Sequence, residues 1–469
     1  MTRRVLFISH NYPTTRPGGA ENYALELRRA MEADGGDALL LAKGGAPLNR
    51  SGSVHLSTYV APVDRQPNEY LLFTDGYSYD WVDHTITDKD FYTGHLRKFL
   101  QAVRPDVVHL QHTMFIGYDV LREIRTTLPD AVIVYTLHEF SAICHHQGQM
   151  VRTFGDDELC DHASPRRCHE CFLDITPQQF FLRERFIKAQ FELVDAFVTP
   201  SEFLRDRFID WGIDPARIHH EPNGRPTPAV IAARTDRPTR NRFAFFGQIT
   251  RFKGLDVLLE AMALLVGETS GVDDDLSELI AALGLVTPAA PRVNPPHLWV
   301  HGANLDIQTH DYRERIGDLL LATGPDVTMV GPYRPEELPE LMAEVDWVVV
   351  PSIWWENAPL VIQEAFTHGR PVICSDIGGM AEKVTDGVDG LHFRARDTRS
   401  LARTIERAST EPGLWDRLVD GISPTHGMAE HIDWLTQLYD ELDKRPRAGT
   451  QMDVPAQVRR RSTRGRVTR

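Results

Sequence analysis

Short apolar runs, each followed by a stretch with helical spacing, recur along the chain and limit the folds open to it. One of them, Trp347–Val350, holds three consecutive valines, as strands covered on both faces of a parallel sheet do. The predicted strands are Val5–Ile8, Ala38–Ala42, Val107–Leu110, Val132–Tyr135, Ala196–Thr199, Phe243–Phe246, Leu298–His301, Val327–Val330, Trp347–Val350 and Pro371–Cys374. Alternating strands and helices predict an α/β fold, and 469 residues exceed the usual size of one core. We therefore expect two doubly wound domains.

Two carboxylates, Glu356 and Glu364, flank the start of the helix expected after Trp347–Val350. Glu356 is predicted in the loop at the carboxyl end of this strand, where open α/β sheets bind ligands. The first-turn amides of Leu360 and Val361 can face an anion there. Glutamates at this spacing are also common on helix surfaces, so their place at the strand end is what favours a ligand site.

A glycine pair, Gly18-Gly19, lies between the strand Val5–Ile8 and a predicted helix over Glu21–Ala33. Glycines let the backbone approach a phosphate closely, and a helix amino terminus offers unpaired N–H groups. The pair therefore predicts a phosphate-binding loop, with an ordinary turn as the alternative.

Three further side chains follow predicted strands: His138, Arg251 and Lys253. Cations at a strand end can stabilise negative charge that develops on a bound group. The alternatives are a structural histidine and two surface charges. Other histidines stand at comparable strand ends, namely His10, His109 and His112.

Four of the five cysteines, Cys144, Cys160, Cys168 and Cys171, fall within 28 residues. Four thiolates suit a tetrahedral structural zinc site that would tie together a loop with little core of its own. Free thiols are the main alternative, since disulfides need an oxidising compartment.

Several motifs occur together and in order: Pro17–Glu21, Thr136–His138, Gly247–Gly254, Val330–Pro332, Glu356–Glu364, Ser375–Glu382 and Asp386–Gly390. In this combination the chain resembles the retaining nucleotide-sugar glycosyltransferases of family four, also called group 1. The resemblance runs from about residue 3 to residue 410. It implies the GT-B architecture, in which two Rossmann-like doubly wound domains face a central cleft.

The resemblance also implies roles for the candidate residues. Glu356 would contact the sugar hydroxyls, Glu364 the ribose hydroxyls and His138 the transferred sugar. The amide of Gly19 would face the phosphate or sugar of the donor, and Lys253 and Arg251 would contact its diphosphate. The family usually has arginine directly after the first glycine of Gly247–Gly254, where this chain has Gln248. No catalytic metal is implied.

The predicted domains are an acceptor-side domain at 1–225 with the cysteine-rich loop at 144–171, and a nucleotide-sugar-binding domain at 240–420. A crossover helix at 427–445 and a disordered tail at 446–469 follow, and residues 46–95 fit no predicted element. The net charge of −15 argues against general nucleic-acid binding. The tail, however, carries seven arginines against one aspartate and could touch a membrane surface. No apolar run approaches the ~20 residues of a membrane helix, so we expect a cytoplasmic protein, at most peripheral to the inner face of the membrane.

The resemblance thus implies an enzyme that moves a hexose-like sugar, with retention, from a nucleotide-diphosphate donor to an acceptor in glycan or polysaccharide biosynthesis. The acceptor could be a glycan, a lipid-linked group or a small molecule. Two other classes stay open: a nucleotide-sugar hydrolase or epimerase, and a non-catalytic subunit that binds nucleotide-sugar. Donor consumption without an acceptor would favour the first, and binding without turnover the second.

Overall fold

The structure is a computed structural model that describes residues 3–15, 18–44, 59–73, 79–87, 91–155, 157–226, 239–270 and 295–448. Its strands are β1 Arg4–Ser9, β2 Asp37–Lys43, β3 Tyr59–Pro62, β4 Glu69–Phe73, β5 Tyr79–Asp80, β6 Thr85–Ile86, β7 Val107–Leu110, β8 Val132–Thr136, β9 Ala196–Thr199, β10 Ile218–His220, β11 Arg242–Gln248, β12 His297–Ala303, β13 Val327–Gly331, β14 Trp347–Val350, β15 Val372–Ser375 and β16 Gly390–Phe393.

Its α-helices are α1 Gly19–Ala33, α2 Arg97–Val103, α3 Val120–Thr127, α4 Pro165–Cys171, α5 Pro177–Phe191, α6 Glu202–Trp211, α7 Leu255–Ser270, α8 His310–Thr323, α9 Leu338–Ala343, α10 Leu360–Thr367, α11 Gly378–Lys383, α12 Thr398–Thr410, α13 Leu414–Gly421 and α14 Met428–Asp443. None of these described helices combines the length and the apolar content that a membrane crossing requires.

Two sheets carry the fold. The first has eight strands in the order β10-β9-β8-β7-β1-β2-β4-β3, and the second has six in the order β13-β12-β11-β14-β15-β16. In the second sheet, all five pairs of neighbouring strands are parallel. In the first, β3 runs antiparallel to β4, which itself pairs parallel with β2. The ten predicted strands are confirmed, whereas β3 to β6, β10 and β16 were not predicted.

The second sheet shows why its strands read as continuous apolar runs. Along β11, Phe243 and Phe245 pack into one core, while Ala244 and Phe246 pack into another. In β14, Trp347 and Val349 belong to the first core, and Val348 and Val350 to the second. Successive side chains of a strand point to opposite faces, so each face of this sheet is covered by its own apolar layer. The sheet is therefore doubly wound, as the valine run predicted.

The chain forms two compact units. One consists of Met1–Thr136, Phe181–Phe197 and Asp433–Arg469, and the other of Leu137–Phe180 and Val198–Ile432. The predicted crossover helix corresponds to α14, which begins in the second unit and ends in the first. Within the first unit, Tyr439 of α14 is fully buried and its hydroxyl lies 2.6 Å from Nδ1 of His109 in β7.

The disordered tail was predicted to begin at residue 446, but Arg447 and Ala448 are held by hydrogen bonds within the first unit. Arg447 Nε donates a hydrogen bond of 2.7 Å to the carbonyl of Asp130, and Ala448 N donates one of 2.6 Å to Asp195 Oδ1. The remainder of the tail, from residue 449, lies outside the described residues.

Candidate active site

The loop after β14 holds Glu356 in a buried position with three partners. Its Oε1 accepts hydrogen bonds from Lys253 Nζ at 2.6 Å, Ser352 Oγ at 2.7 Å and Trp354 Nε1 at 2.9 Å. Burial alone would raise the pKa of Glu356, but the Lys253 charge and the three hydrogen bonds outweigh burial and lower it. Glu356 is therefore a carboxylate at neutral pH.

Lys253 reaches Glu356 because the loop after β11 packs directly on the loop after β14. Ile353 N donates a hydrogen bond of 2.9 Å to the carbonyl of Phe252. Gly254 has a φ of +68°, and a Cβ there would lie 2.0 Å from the carbonyl oxygen of Pro351. Only glycine meets both requirements, so this residue fixes the spacing of the two loops. The Lys253 side chain remains 30% exposed and accessible to a ligand.

Glu364 lies in α10 and pairs with a residue that sequence reasoning missed. Arg225 Nη2 is 2.9 Å from Glu364 Oε1, and both side chains are largely buried. Burial raises the pKa of Glu364, and the Arg225 charge offsets this only in part. Arg225 follows the pair Asn223-Gly224, and no spacing rule connects it to Glu364.

Asn357 brings His138 next to Glu356. Its Nδ2 donates a hydrogen bond of 3.0 Å to the carbonyl of His138, and its Oδ1 accepts one of 2.5 Å from Ser201 Oγ. Ser201 also caps α6 by accepting a hydrogen bond of 3.1 Å from Leu204 N. The backbone of His138 is thus hydrogen-bonded to Asn357, the residue that follows Glu356. Asn357 was not predicted, because both of its partners are distant in sequence.

The glycine pair Gly378-Gly379 supports the backbone of this loop. Gly379 N donates a hydrogen bond of 2.8 Å to the carbonyl of Glu356. A Cβ on Gly379 would lie 1.4 Å from the carbonyl oxygen of Asn357, so no side chain fits. Nearby, Glu382 accepts hydrogen bonds from the backbone N–H groups of Glu202 and Phe203 at the start of α6. These contacts give Glu382 a structural role at the start of α6.

Leu360 and Val361 are the first two residues of α10, and Pro359 is the residue that precedes the helix. A cavity of about 220 Å³ opens beside this helix start. Its lining includes Ala358, Pro359, Leu360, Gln363, Lys383 and His426, but not Lys253 or Glu356. Burial lowers the pKa of Lys383.

In the first unit, Gly19 is the first residue of α1 and Gly18 precedes it. A Cβ on Gly18 would lie 2.4 Å from Glu21 Oε2, so the carboxylate of Glu21 occupies the space beside this glycine. Glu21 is buried, and its Oε1 lies 2.9 Å from Nε2 of His10. Burial would raise the pKa of Glu21, but the contacts with His10 lower it. The predicted phosphate-binding loop therefore also contains a buried acidic group.

The rival histidines differ in their surroundings. His109 is completely buried, with Nδ1 bonded to Tyr439 and Nε2 lying 2.7 Å from Thr136 Oγ1. Both ring nitrogens are engaged, so His109 is structural. The rings of His10 and His112 contact each other in a tilted arrangement, with centroids 4.1 Å apart, and His10 also contacts Glu21.

Arg251 lies in the short helical turn Arg251–Lys253 but points to a different partner from Lys253. Its guanidinium forms an ion pair with the carboxylate of Asp157, from the cysteine-rich loop. The Arg251 side chain is 61% exposed. The structure thus brings together Lys253, Glu356 and the backbone of His138, and pairs Arg251 with Asp157 instead of with this group.

All four clustered cysteines line one small cavity of about 20 Å³, together with His145 and His146. None of the five cysteines is in a disulfide. Burial raises the pKa of Cys144 to about 12, and the neighbouring thiols of Cys160 and Cys168 add to this effect. All four of these cysteines belong to the described part of the chain. No three of their sulfur atoms lie within 4.8 Å of one another.

A different group has three ligand atoms within 4.8 Å in the described part of the chain: Glu221, His426 and His431. His426 Nε2 and His431 Nδ1 lie 2.8 Å and 3.2 Å from the same oxygen, Glu221 Oε1. Burial would raise the pKa of Glu221, but the two imidazoles lower it. These contacts account for the cluster as a hydrogen-bonded group without an ion. It was not predicted, since its members come from separate segments.

Comparison with known families accounts for most of the chain. Residues 17–227 match the model described as Glycosyltransferase Family 4, and residues 240–411 match that described as Glycosyl transferases group 1. Among curated proteins, the chain is 27% identical over 258 residues to a D-inositol 3-phosphate glycosyltransferase of Salinispora arenicola, covering 51% of this chain and 52% of that one. A protein of the same name from Nocardioides sp. is 32% identical over 181 residues, or 38% and 36% of the two chains. The chain thus spans about half the length of its curated relative in Salinispora arenicola, and less of that in Nocardioides.

Solved structures share the fold over nearly the whole chain. Sucrose-phosphate synthase from Thermosynechococcus elongatus superposes with a TM-score of 0.66 at 17% identity, covering 94% of this chain and 99% of that one. Anabaena HepE in complex with UDP superposes with a TM-score of 0.63 at 14% identity, covering 93% of this chain and 100% of that one. The catalytic domain of starch synthase IV from Arabidopsis thaliana, bound to ADP and acarbose, superposes with a TM-score of 0.58 at 14% identity. The superposition covers 95% of this chain and 100% of that one. These neighbours are GT-B proteins with two Rossmann-like domains, which confirms the predicted fold class. Because both family models match in the expected order on this fold, the chain belongs to the group 1, family four glycosyltransferases.

Proposed function

We propose that this glycosyltransferase moves a hexose-like sugar from a nucleotide-diphosphate donor to an acceptor with retention of anomeric configuration. The observation that carries the proposal is the meeting of Lys253, Glu356 and the backbone of His138 around the loop after β14. A cation and a buried carboxylate in one place suit the two ends of such a donor, its diphosphate and its sugar hydroxyls.

Each residue has a role that its surroundings support. Lys253 contacts the diphosphate of the bound donor. Before the donor binds, it forms an ion pair with Glu356. Glu356, held ionised, accepts hydrogen bonds from the sugar hydroxyls. Glu364, oriented by Arg225, contacts the ribose, and His138 contacts the transferred sugar. The N–H groups of Leu360 and Val361 at the start of α10 contribute positive potential toward phosphate. In the first unit, the start of α1 at Gly18-Gly19 has the same type of N–H groups, and the family resemblance is the reason to test it as a contact of the donor.

The reaction breaks the bond between the anomeric carbon and the oxygen of the β-phosphate. A new bond forms between that carbon and the acceptor oxygen, on the same face of the sugar. The proton of the acceptor hydroxyl passes to the departing phosphate oxygen, giving the glycoside and a nucleoside diphosphate. Lys253 stabilises the charge that grows on this phosphate, an effect worth about 10²-fold or more in rate.

The donor and the acceptor follow from what similar proteins bind. Two of the structural neighbours were solved with UDP or ADP bound, and the curated relatives are called D-inositol 3-phosphate glycosyltransferases. UDP-sugars and ADP-sugars are therefore the first donors to test, with D-inositol 3-phosphate and glycan fragments as acceptors. Glycan or polysaccharide synthesis at the cytoplasmic face of a membrane belongs to the same proposal, and cell fractionation tests the location.

The test is turnover of the full chain with this donor panel, followed by NMR of the product. We expect nucleoside diphosphate to be released only when an acceptor is present, and the anomeric coupling of the product to match that of the donor. Inverted coupling would refute retention. Release of free sugar without an acceptor would instead identify a hydrolase, and donor binding with no turnover would identify a binding subunit.

A further inference from the structure

The residues 144–171, here called the cysteine segment, have little apolar core of their own. Its helix α4 contains no buried residue, and among its described residues, 144–155 and 157–171, a single isolated β-bridge joins Val151 to Leu159. Apolar burial is the main driving force that orders a chain, so a segment with so little of it needs another source of stability. Its four cysteines line a single small cavity, together with other residues of the segment and Phe172.

We propose that Cys144, Cys160, Cys168 and Cys171 bind one Zn²⁺ ion, and that this ion holds the cysteine segment against the loop Gly247–Gly254. The cavity of about 20 Å³ has room for a single ion and not for an organic ligand. Four thiolates are a complete tetrahedral set for zinc, which leaves no open position and makes the site structural. The four thiols release their protons to solvent as four Zn–S bonds form, and the sulfur atoms, which line the cavity farther apart than a zinc site requires, must move closer together on binding.

The cysteine segment touches the loop Gly247–Gly254 at two points. Asp157 forms its ion pair with Arg251, and the ring of His146 packs edge-on against Phe252 at a centroid distance of 6.2 Å. His146 lies two residues after Cys144, and Asp157 lies between Cys144 and Cys160. Ordering the four cysteines therefore orders both contacts.

These contacts continue to the candidate active site. The ring of Phe252 packs at 6.0 Å from Trp354, and Trp354 Nε1 donates a hydrogen bond to Glu356. Lys253, the next residue after Phe252, binds the same carboxylate. The ion thus fixes the loop that carries Lys253, and Arg251 anchors this loop to the cysteine segment. This second part of the proposal rests on the proposed function.

The metal is tested without any activity measurement. Elemental analysis of the purified full chain is expected to give one zinc per chain, and Cys168→Ser/Cys171→Ser to give less than about a tenth of that. Cys374→Ser is the matched control, since Cys374 is buried in β15 outside the cluster, and should keep its zinc. Replacement by Co²⁺ should give the intense visible bands of a tetrahedral thiolate site. A wild-type chain that folds with no metal and takes up no Co²⁺ overturns the site, and iron in place of zinc overturns its identity.

The docking role is tested by Asp157→Asn, which removes one charge and keeps the shape. We expect one zinc per chain as in wild type, a Kd for the nucleotide-sugar raised about threefold to tenfold, and a smaller change in kcat. Removing zinc from the wild type should weaken donor binding at least as much. An unchanged Kd in both cases overturns the docking role. Failure of the wild type to bind any nucleotide-sugar would count against the proposed function and leave the zinc result standing.

Discussion

Lys253 and Glu356 are 103 residues apart in the chain, yet Nζ of the lysine lies 2.6 Å from Oε1 of the glutamate. Their loops leave neighbouring strands, β11 and β14, at the same edge of a parallel sheet. The lysine keeps the glutamate ionised, and the glutamate keeps the lysine pointed at the site. The pair therefore prepares one group for phosphate and one for hydroxyls before any ligand binds.

Replacing Lys253 by alanine should reduce kcat/KM by about 10²-fold or more, because the departing diphosphate loses its cation. Lys444→Ala is the control, since Lys444 is an exposed lysine in the turn that follows α14. Steady-state kinetics with the preferred nucleotide-sugar decides the point. Near-normal rates for Lys253→Ala would show that this lysine does not contact the diphosphate.

The free energy of unfolding should fall as pH rises from the pKa of Glu364 in the unfolded chain to its higher pKa in the folded protein. In this window the folded protein still binds a proton that the unfolded chain has released, so raising the pH favours unfolding. Glu364→Gln should remove this contribution, while Glu314→Gln, at an exposed position of α8, should not. Urea unfolding at a series of pH values measures the slopes. Parallel curves for wild type and Glu364→Gln would contradict the raised pKa.

Replacing Asn357 by aspartate separates its two hydrogen bonds. The aspartate still accepts from Ser201 but cannot donate to the carbonyl of His138, and its charge faces that carbonyl. We expect kcat to fall about 10-fold with a smaller change in KM, because the His138 backbone shifts relative to the sugar. Ser201→Ala should instead cost stability, about 1 kcal/mol, through loss of the helix cap. Equal kinetics for Asn357→Asp and wild type would remove Asn357 as a positioning residue.

Gly379→Ala should destabilise the protein by at least about 3 kcal/mol or prevent folding, because the new Cβ would overlap the carbonyl of Asn357. The matched control is Gly317→Ala in the exposed face of α8, where a Cβ would meet nothing within 4 Å. That change should stabilise by about 0.5–1 kcal/mol through helix propensity. Thermal unfolding of both variants tests the contrast. Similar melting temperatures for the two would contradict the close approach.

The sequence predicted the parts of the fold that depend on local pattern. The valine run of β14 and the two-sided burial of β11 follow from apolar periodicity, and these strands lie where they were expected. Strand β4 was missed because it starts with Glu69, which is fully buried among Tyr12, Arg28 and Arg29. A charged residue interrupts the apolar signal, and its partners come from other segments.

The candidate site shows the same division. Glu356 and Lys253 were identified from motif and strand position, and the structure places them in contact. Asn357 and Arg225 could not be inferred, because their partners lie 219 and 139 residues away. The pairing of Arg251 with Asp157 was also unforeseen, since nothing in local spacing sets one loop against another.

The contact between His109 and Tyr439 joins residues 330 positions apart, and it has a consequence for synthesis of the protein. Strand β7 leaves the ribosome long before α14 has been translated, so this side of the strand has no covering helix in the meantime. An early fragment such as residues 1–225 would expose that apolar surface to other nascent chains. The amino-terminal half should therefore aggregate when expressed alone and recover solubility when a peptide spanning α14 is supplied in trans.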